Sequence, residues 1–174
     1  MRLALLLLLF LLSSCSASGP DYASQQAARI EHPDIRLENA VCTLNEQGST
    51  PVTLRAGEIT YWTDEERMEA ADVSFSQPDS EGQSDISGSA QHARIDTGNE
   101  IMYLTGDVRL ESISGDLSIQ TSSLIFDIRN QRVDSQDYVS VTFADGSLTG
   151  RALSADLRSM QLDLLELEQG EVII

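Results

Sequence analysis

Apolar and polar residues alternate along much of the chain, and the alternation is clearest from Leu117 to Leu164. A period of two is typical of β-strands that bury one face and leave the other in water. Asp145-Gly146 predicts a turn between two such runs. The pattern therefore predicts an all-β fold. The alternating residues are Leu117 and Ile119; Leu124 and Phe126; Val139, Val141 and Phe143; Leu162 and Leu164.

A faint internal repeat runs through the same region. Each unit has a small residue, two variable positions, an apolar residue, one variable position and a second apolar or aromatic residue. The units begin at Ala56, Ala90, Thr121 and Ala152, which are 34, 31 and 31 residues apart. A polar turn and a returning strand follow each unit, so the four units predict about ten to fourteen antiparallel strands.

Two polar stretches interrupt the strand pattern. Residues 77–85 carry no aliphatic or aromatic side chain and predict a loop. Residues 64–71 fit a turn, with a helix of one or two turns as the alternative, because Asp64 could cap it.

The N-terminus has the features of a bacterial export signal. Met1-Arg2 precedes ten apolar residues, which is about half the length needed to cross a bilayer, and small residues then precede Cys15. Leu12-Ser13-Ser14-Cys15 resembles the lipobox of bacterial lipoproteins, which implies cleavage before Cys15 and acylation of that residue. An ordinary signal peptide is the alternative. We expect residues 1–14 to be a signal peptide, residues 15–34 a lipidated Cys with a flexible tether, and residues 35–174 one β domain.

The charge of the chain excludes several classes of partner. It has no Lys, and its 28 Asp and Glu residues give a formal net charge of −17. Nucleic acid and anionic membrane surfaces both require positive charge. Cys42 is the second and last Cys, so no internal disulfide remains if Cys15 carries lipid, and we expect Cys42 to be a small buried hydrophobe.

No pattern of chemically reactive residues indicates an enzyme. His32 and His92 have no Cys or carboxylate near them at the spacing of metal ligands. The run Gly146-Ser147-Leu148-Thr149-Gly150 has Leu where a nucleophile elbow needs Ser. We predict no cofactor, no metal site and no catalytic residue.

Residues 99–110, NEIMYLTGDVRL, resemble the x-x-L-x-L-x-G-x-V-x-L strand pair of the LptC and LptA lipopolysaccharide-transport proteins. The order of strands and turns over residues 117–165 is similar to the C-terminal half of LptC. The resemblance implies a single curled antiparallel sheet, V-shaped or jelly-roll-like, whose apolar interior holds acyl chains. It also implies no enzymatic activity, since ATP hydrolysis belongs to the ABC transporter that supplies the lipid.

The partners implied are lipopolysaccharide or a similar glycolipid, the membrane subunits of the transporter, and an LptA-like protein that binds by edge-strand addition. LptC usually has a transmembrane helix, whereas this chain has a lipobox. The expected location is the periplasm, with a lipid anchor in the inner membrane. The outer membrane is the alternative, because Ser16 after Cys15 permits transfer there in many diderm bacteria.

The inward apolar positions are expected to form the lipid groove. Alternation looks the same in an open groove and in a filled core, so a structural or adhesive envelope lipoprotein with a closed β core and no lipid ligand stays as the alternative. Gly106, Gly146 and Gly150 are expected to allow tight backbone geometry. The expected groove residues are Ile59, Tyr61, Val73, Phe75, Ile95, Ile101, Tyr103, Val108, Leu110, Ile119, Leu124, Phe126, Val139, Val141, Phe143, Leu162 and Leu164.

Overall fold

The structure is a computed structural model that describes residues 32–44, 50–79, 84–113 and 116–172. These residues form one nine-stranded antiparallel sheet in which each strand pairs with the next along the chain. None of them belongs to a helix that could cross a membrane. The strands are β1 Ile35–Leu44, β2 Val52–Trp62, β3 Arg67–Pro78, β4 Ser84–Asp96, β5 Ile101–Ser112, β6 Leu117–Asp127, β7 Arg132–Phe143, β8 Gly146–Asp156 and β9 Gln161–Val172.

The all-β prediction and the single antiparallel sheet are confirmed, but the predicted number of strands is wrong. The described residues hold nine strands rather than ten to fourteen. Each repeat unit is one hairpin of two strands, and β1 precedes the first hairpin. A break in the alternation predicts the end of a strand. The observed strands are 10 to 13 residues long and continue through these breaks, so the sequence predicts too many strands.

Two local predictions also need correction. The helical alternative over residues 64–71 is wrong, because a turn at residues 63–66 leads directly into β3. The loop at residues 77–85 is shorter than predicted, since β3 continues to Pro78 and β4 begins at Ser84. The side chain of Gln77 is buried, and its Nε2 donates to the backbone oxygen of Thr50 at 3.2 Å. Because Gln is polar, the sequence pattern assigns this buried strand position to a loop.

A transverse row of residues crosses the whole sheet near the middle of every strand, and we call it the fold line. At this level each of the eight strand pairings skips at least one residue of its register. Five of the residues have φ in the left-handed region: Asn39, Asp72, Gly106, Asp107 and Ala152. The fold line comprises Asn39, Gly57, Asp72, Gln91, Gly106-Asp107, Ser122, Gln136-Asp137, Ala152 and Leu165.

The fold line explains the sequence repeat. Buried residues normally recur at every second position of a strand, but on several strands the spacing at the fold line is three. The extra residue keeps the same face of the strand buried on both sides of the line. On β2, for example, Ala56 and then Ile59 are buried, with Gly57 between them. The same spacing recurs at Ala70–Val73, Ala90–Ala93, Thr121–Leu124 and Gly150–Leu153. The fourth repeat unit therefore begins at Gly150 and not at Ala152.

The fold line divides the sheet into two half-sheets that pack face to face. The rings of Phe75 and Phe126 lie on opposite sides of the line and three strands apart, yet their centroids are 5.9 Å apart. Three strand spacings in a flat sheet would separate them by about 14 Å. The first half-sheet holds residues 40–44, 52–56, 73–78, 84–90, 108–112, 117–121, 139–143, 146–150 and 167–172; the second holds residues 35–38, 58–62, 67–71, 92–96, 101–105, 123–127, 132–135, 153–156 and 161–164.

The three glycines expected to be structural differ in what the backbone requires of them. Gly106 has φ +78°, which favours glycine. A Cβ on Gly150 would lie 2.3 Å from the backbone oxygen of Glu166, so glycine there lets β9 approach closely. Gly146 pairs with Phe143 and already belongs to β8, so the turn lies at Ala144-Asp145, one residue before the position predicted.

Candidate functional site

The space between the half-sheets is lined almost entirely by apolar side chains from both of them. Most of the expected groove residues lie in this one core with exposed fractions of 3% or less. Four others are partly buried and pack against it: Tyr61, Phe143, Leu162 and Leu164. The fully buried members of the expected set are Ile59, Val73, Phe75, Ile95, Val108, Leu110, Ile119, Leu124, Phe126, Val139 and Val141.

Ile101 and Tyr103 do not face this interior, which corrects two of the expected positions. On β5 the buried residues are Met102 and Leu104, followed by Val108 and Leu110. Four apolar residues in a row at positions 101–104 fit either face, so alternation could not choose between them. The ring of Tyr103 instead lies on the outer face, where the guanidinium of Arg94 sits 4.7 Å above it.

Sequence reasoning also missed several side chains of the interior. Met102, Leu104, Leu54, Ile86, Val133 and Leu153 are buried to 1% exposure or less. Val52 and Leu54 alternate across a short run, and Val133 has Ser135 as its inward neighbour, so the periodic signal at these positions was weak. The register of the neighbouring strands is what assigns them to the core.

Near the β9 edge of the described sheet, a wide surface depression is lined in part by the inner-face residues Leu153, Leu162 and Leu164. The more enclosed opening to the interior is a cavity of about 260 Å³ between the end of β1 and the turns of the second half-sheet. Ligand pockets are commonly about 300 to 1,000 Å³. The cavity is thus large enough for part of one acyl chain and too small for a lipid with several chains. We call it the mouth; it is lined by Thr43, Leu44, Tyr61, Met68, Ile95, Thr97, Glu100 and Ile128.

Stacked turns fix one wall of the mouth. The amide of Thr97 donates to the oxygen of Glu66 at 2.8 Å, and that of Ile128 donates to the oxygen of Glu100 at 3.0 Å. Each turn therefore holds the turn of the next hairpin in place. Glu100 is nearly buried at the rim, where Nε of Arg129 donates to its Oε2 at 3.1 Å. The mouth therefore has mostly apolar walls, with the ion pair of Glu100 and Arg129 at its rim.

Repeated Asp residues hold these turns in shape. Asp96 Oδ1 accepts from the amide of Asn99 at 2.9 Å, and Asp127 Oδ1 accepts from the amide of Asn130 at the same distance. The pKa of Asp96 is lowered, chiefly because the side chain and backbone of Asn99 donate to its charged form. Short polar side chains that bond the backbone a few residues ahead are typical of tight turns.

The two ends of the sheet are open edges. Within the described part of the chain, β1 and β9 each pair with one strand only, which leaves backbone groups on the other side able to pair with another strand. Ile35 and Leu37 on β1 pair with Tyr61 and Ile59, so they share the inner face, and their exposed fractions are 46% and 45%. The apolar inner face therefore continues to the β1 edge.

The β9 edge is apolar and strongly acidic at once. Leu165 and Leu167 have exposed fractions of 82% and 59%. The strand also carries Asp163, Glu166, Glu168 and Glu171 and no basic residue, whereas β1 has one Arg and one Glu. Like charges on facing strands repel, so this edge disfavours pairing with a second copy of itself.

Trp62 and Cys42 lie on opposite faces of the sheet. Trp62 lies on the outer face, and the guanidinium of Arg67 on the neighbouring strand sits 3.9 Å above its ring. Cys42 is partly buried against the core, and its burial raises the pKa of the thiol. Among the described residues, no group of three or more His, Cys, Asp and Glu side chains is arranged to hold a metal ion.

Comparison with protein families gives a match that covers nearly the whole chain. The model of the LptC family, described as "Lipopolysaccharide-assembly, LptC-related", matches residues 2–170. The matched range reaches from the N-terminal apolar run into β9. No curated protein matches the chain.

We predict opposite outcomes for two aromatic truncations on the two faces. Phe126→Ala should lower the free energy of unfolding by about 3 to 5 kcal/mol, because it leaves a cavity in the core. Tyr103→Ala should lower it by no more than about 1 kcal/mol, since it loses mainly the contact with Arg94. Urea denaturation followed by circular dichroism measures both. Equal losses for the two variants would contradict the assignment of Tyr103 to the outer face.

Proposed function

The chain belongs to the LptC family of lipopolysaccharide-assembly proteins, and we propose that it is a membrane-tethered bridge that passes a glycolipid through its apolar interior. The family serves lipopolysaccharide transport, is not enzymatic, and works in the periplasm at the inner membrane. In the proposed role the chain receives lipopolysaccharide or a related glycolipid from an ABC transporter. It then hands the lipid to an LptA-like partner.

The observation that carries this proposal is the continuity of the apolar inner face from edge to edge. It begins at Ile35 and Leu37 on β1, passes through the core, and ends at Leu162 and Leu164 on β9. Burying one CH₂ group contributes about 0.8 kcal/mol, so roughly ten of them contribute about 8 kcal/mol before the cost of opening the core. An interior of this kind can hold acyl chains without any polar group.

The second candidate function is that of a structural or adhesive envelope lipoprotein with a closed core. The small volume of the mouth and the near-complete burial of the interior favour it. The two functions differ in whether a lipid ever contacts the inner face, which can be tested directly.

A photo-reactive phenylalanine analogue tests that contact in cells. At Tyr61 it should capture lipopolysaccharide, because this side chain packs against the core and lines the mouth. The same analogue at Tyr103 is the matched control, since that Tyr lies on the outer face of the same half-sheet. Immunoblotting for lipopolysaccharide after irradiation is the measurement. Capture at Tyr103 alone, or at neither position, would favour the closed structural module.

The handover to a partner is proposed to occur by strand addition at β9. Unpaired backbone groups on an edge strand give affinity, and the exposed Leu165 and Leu167 add apolar contact area. The acidic side chains of β9 select against self-pairing and favour a partner strand that carries positive charge. The β1 edge is then left for the membrane subunits of the transporter.

Cross-linking at an exposed leucine tests the β9 edge. The photo-reactive analogue at Leu165 should cross-link to an LptA-like periplasmic protein. The analogue at Ile125, an exposed apolar residue on β6, should not, because β6 is paired on both sides. Mass spectrometry of the cross-linked band identifies the partner. A partner captured at Ile125 and absent at Leu165 would move the interface from the edge to the outer face.

The membrane tether is proposed to be a lipid on Cys15, with residues 15–34 as the flexible tether. Cys15 and the signal peptide lie outside the described residues, and the sequence Leu12-Ser13-Ser14-Cys15 supports the proposal. An anchor in the inner membrane suits a role beside the transporter, while Ser16 keeps the outer membrane as the alternative destination.

Mass spectrometry of the mature protein tests the anchor. The N-terminal residue should be Cys15 carrying acyl groups, and Cys15→Ala should leave an uncleaved precursor without lipid, because the thiol is the acceptor. Fractionation on a sucrose gradient then tells which membrane holds the protein. A mature chain that retains Met1, or that starts with an unmodified Cys15, would refute lipidation.

A further inference from the structure

The fold line is the one level at which backbone pairing is interrupted between all neighbouring strands. On β1–β2 the register passes from Glu38↔Glu58 to Ala40↔Ala56, and on β6–β7 it passes from Thr121↔Val139 to Ile125↔Asp134. The other six pairings skip residues at the same level. Within the half-sheets the pairing is continuous apart from two shifts, one near the end of β3 and one between Thr149 and Gly150 on β8.

Side-chain hydrogen bonds take the place of ladder bonds along part of the fold line. Nε2 of Gln91 on β4 donates to Oδ2 of Asp107 on β5 at 2.7 Å. The hydroxyl of Ser122 on β6 donates to Oδ2 of Asp137 on β7 at 2.8 Å, and that of Ser123 donates to the same oxygen. These two hydroxyls lower the pKa of Asp137. The bonds from Gln91 and Ser122 are exposed and can rearrange more easily than a buried ladder.

The closed interior requires a large motion if a lipid is to enter. The mouth has a volume of about 260 Å³, and the side chains behind it have no more than a few per cent of their surface exposed. Separating the half-sheets breaks side-chain contacts such as Phe75 against Phe126 and leaves the ladders intact. Spreading the β1 and β9 edges apart would instead have to bend the paired ladders.

We propose that the fold line is a hinge about which the two half-sheets separate to admit acyl chains between them. This inference rests on the proposed transport of lipid. The motion is a rotation of one half-sheet against the other, with strands that flex at Gly106-Asp107, Asp137, Ala152 and their neighbours. The order of strands in the sheet does not change.

Distances between pairs of spin labels test the hinge. Asp145 lies in the turn at the first-half-sheet end of β8, and Ser159 lies in the turn at its second-half-sheet end; both are exposed. An arm of about five residues is roughly 17 Å long, so a rotation of about 20° moves its tip by about 6 Å. The Asp145–Ser159 distance should therefore increase by several ångströms on addition of purified lipopolysaccharide.

The control pair is Asp64 and Ser159. Both lie in turns of the second half-sheet, near opposite edges of the sheet, and both are exposed. Their distance should stay constant if the half-sheets rotate as bodies, and it should increase if the edges spread apart. Labels attached to genetically encoded ketone side chains leave Cys15 and Cys42 untouched in the full-length protein, held in lipid nanodiscs.

Lipopolysaccharide binding is measured in the same samples by co-purification. If the lipid binds and only the Asp64–Ser159 distance changes, or neither distance changes, the hinge is refuted and the transport function stands. If the lipid does not bind, the transport function fails. The hinge is then judged in the lipid-free protein, where it predicts a wider distance distribution for Asp145–Ser159 than for Asp64–Ser159; equal widths would refute it.

A pair of variants on β7 gives a second readout. Asp137→Ala removes the hydrogen bonds from Ser122 and Ser123 and should widen the Asp145–Ser159 distribution further. Asp134→Ala is the matched control, because it changes the same residue type on the same strand within the second half-sheet. Equal widening by both variants would indicate general loosening of β7 and would refute the hinge.

Discussion

A single antiparallel sheet with one apolar face must either find a second layer or cover that face with itself. The described part of this chain supplies no second layer, so the nine strands fold across their own inner face. Phe75 meets Phe126 across the interior because of this folding, and the packing of one half-sheet against the other depends on it. The burial of one continuous apolar face is therefore the constraint from which the rest of the structure follows.

The fold line is the local solution to that constraint. A strand that bends sharply would turn its apolar residues outward, and an extra residue at the bend restores the inward direction beyond it. Ala56 to Ile59 and Thr121 to Leu124 show the extra residue. On β5 the bend is made by Gly106 and Asp107, whose φ angles lie in the left-handed region. The period of two is kept across this bend, so Met102 and Val108 both face inward.

A sheet that folds over itself without closing keeps two free edges, here β1 and β9 of the described chain. The apolar inner face reaches β1 at Ile35 and Leu37 and approaches β9 at Leu162 and Leu164. Membership of the LptC family places this chain in lipopolysaccharide transport. In the proposed handover, the acidic residues of β9 disfavour an acidic partner strand, since like charges on a facing strand would repel them.

The sequence by itself determined the fold class and most of the buried interior, because alternation directly encodes which face of a strand is buried. The fold line is also visible in the sequence, because the two variable positions of the repeat lie on it. Where several apolar residues follow one another, as at positions 101–104, only the tertiary structure decided which of them face inward. It also decided that the fourth repeat unit begins at Gly150. Both depend on the register with neighbouring strands, which is a long-range property. Alternation likewise does not say whether the interior is filled, since that depends on how closely the half-sheets approach each other.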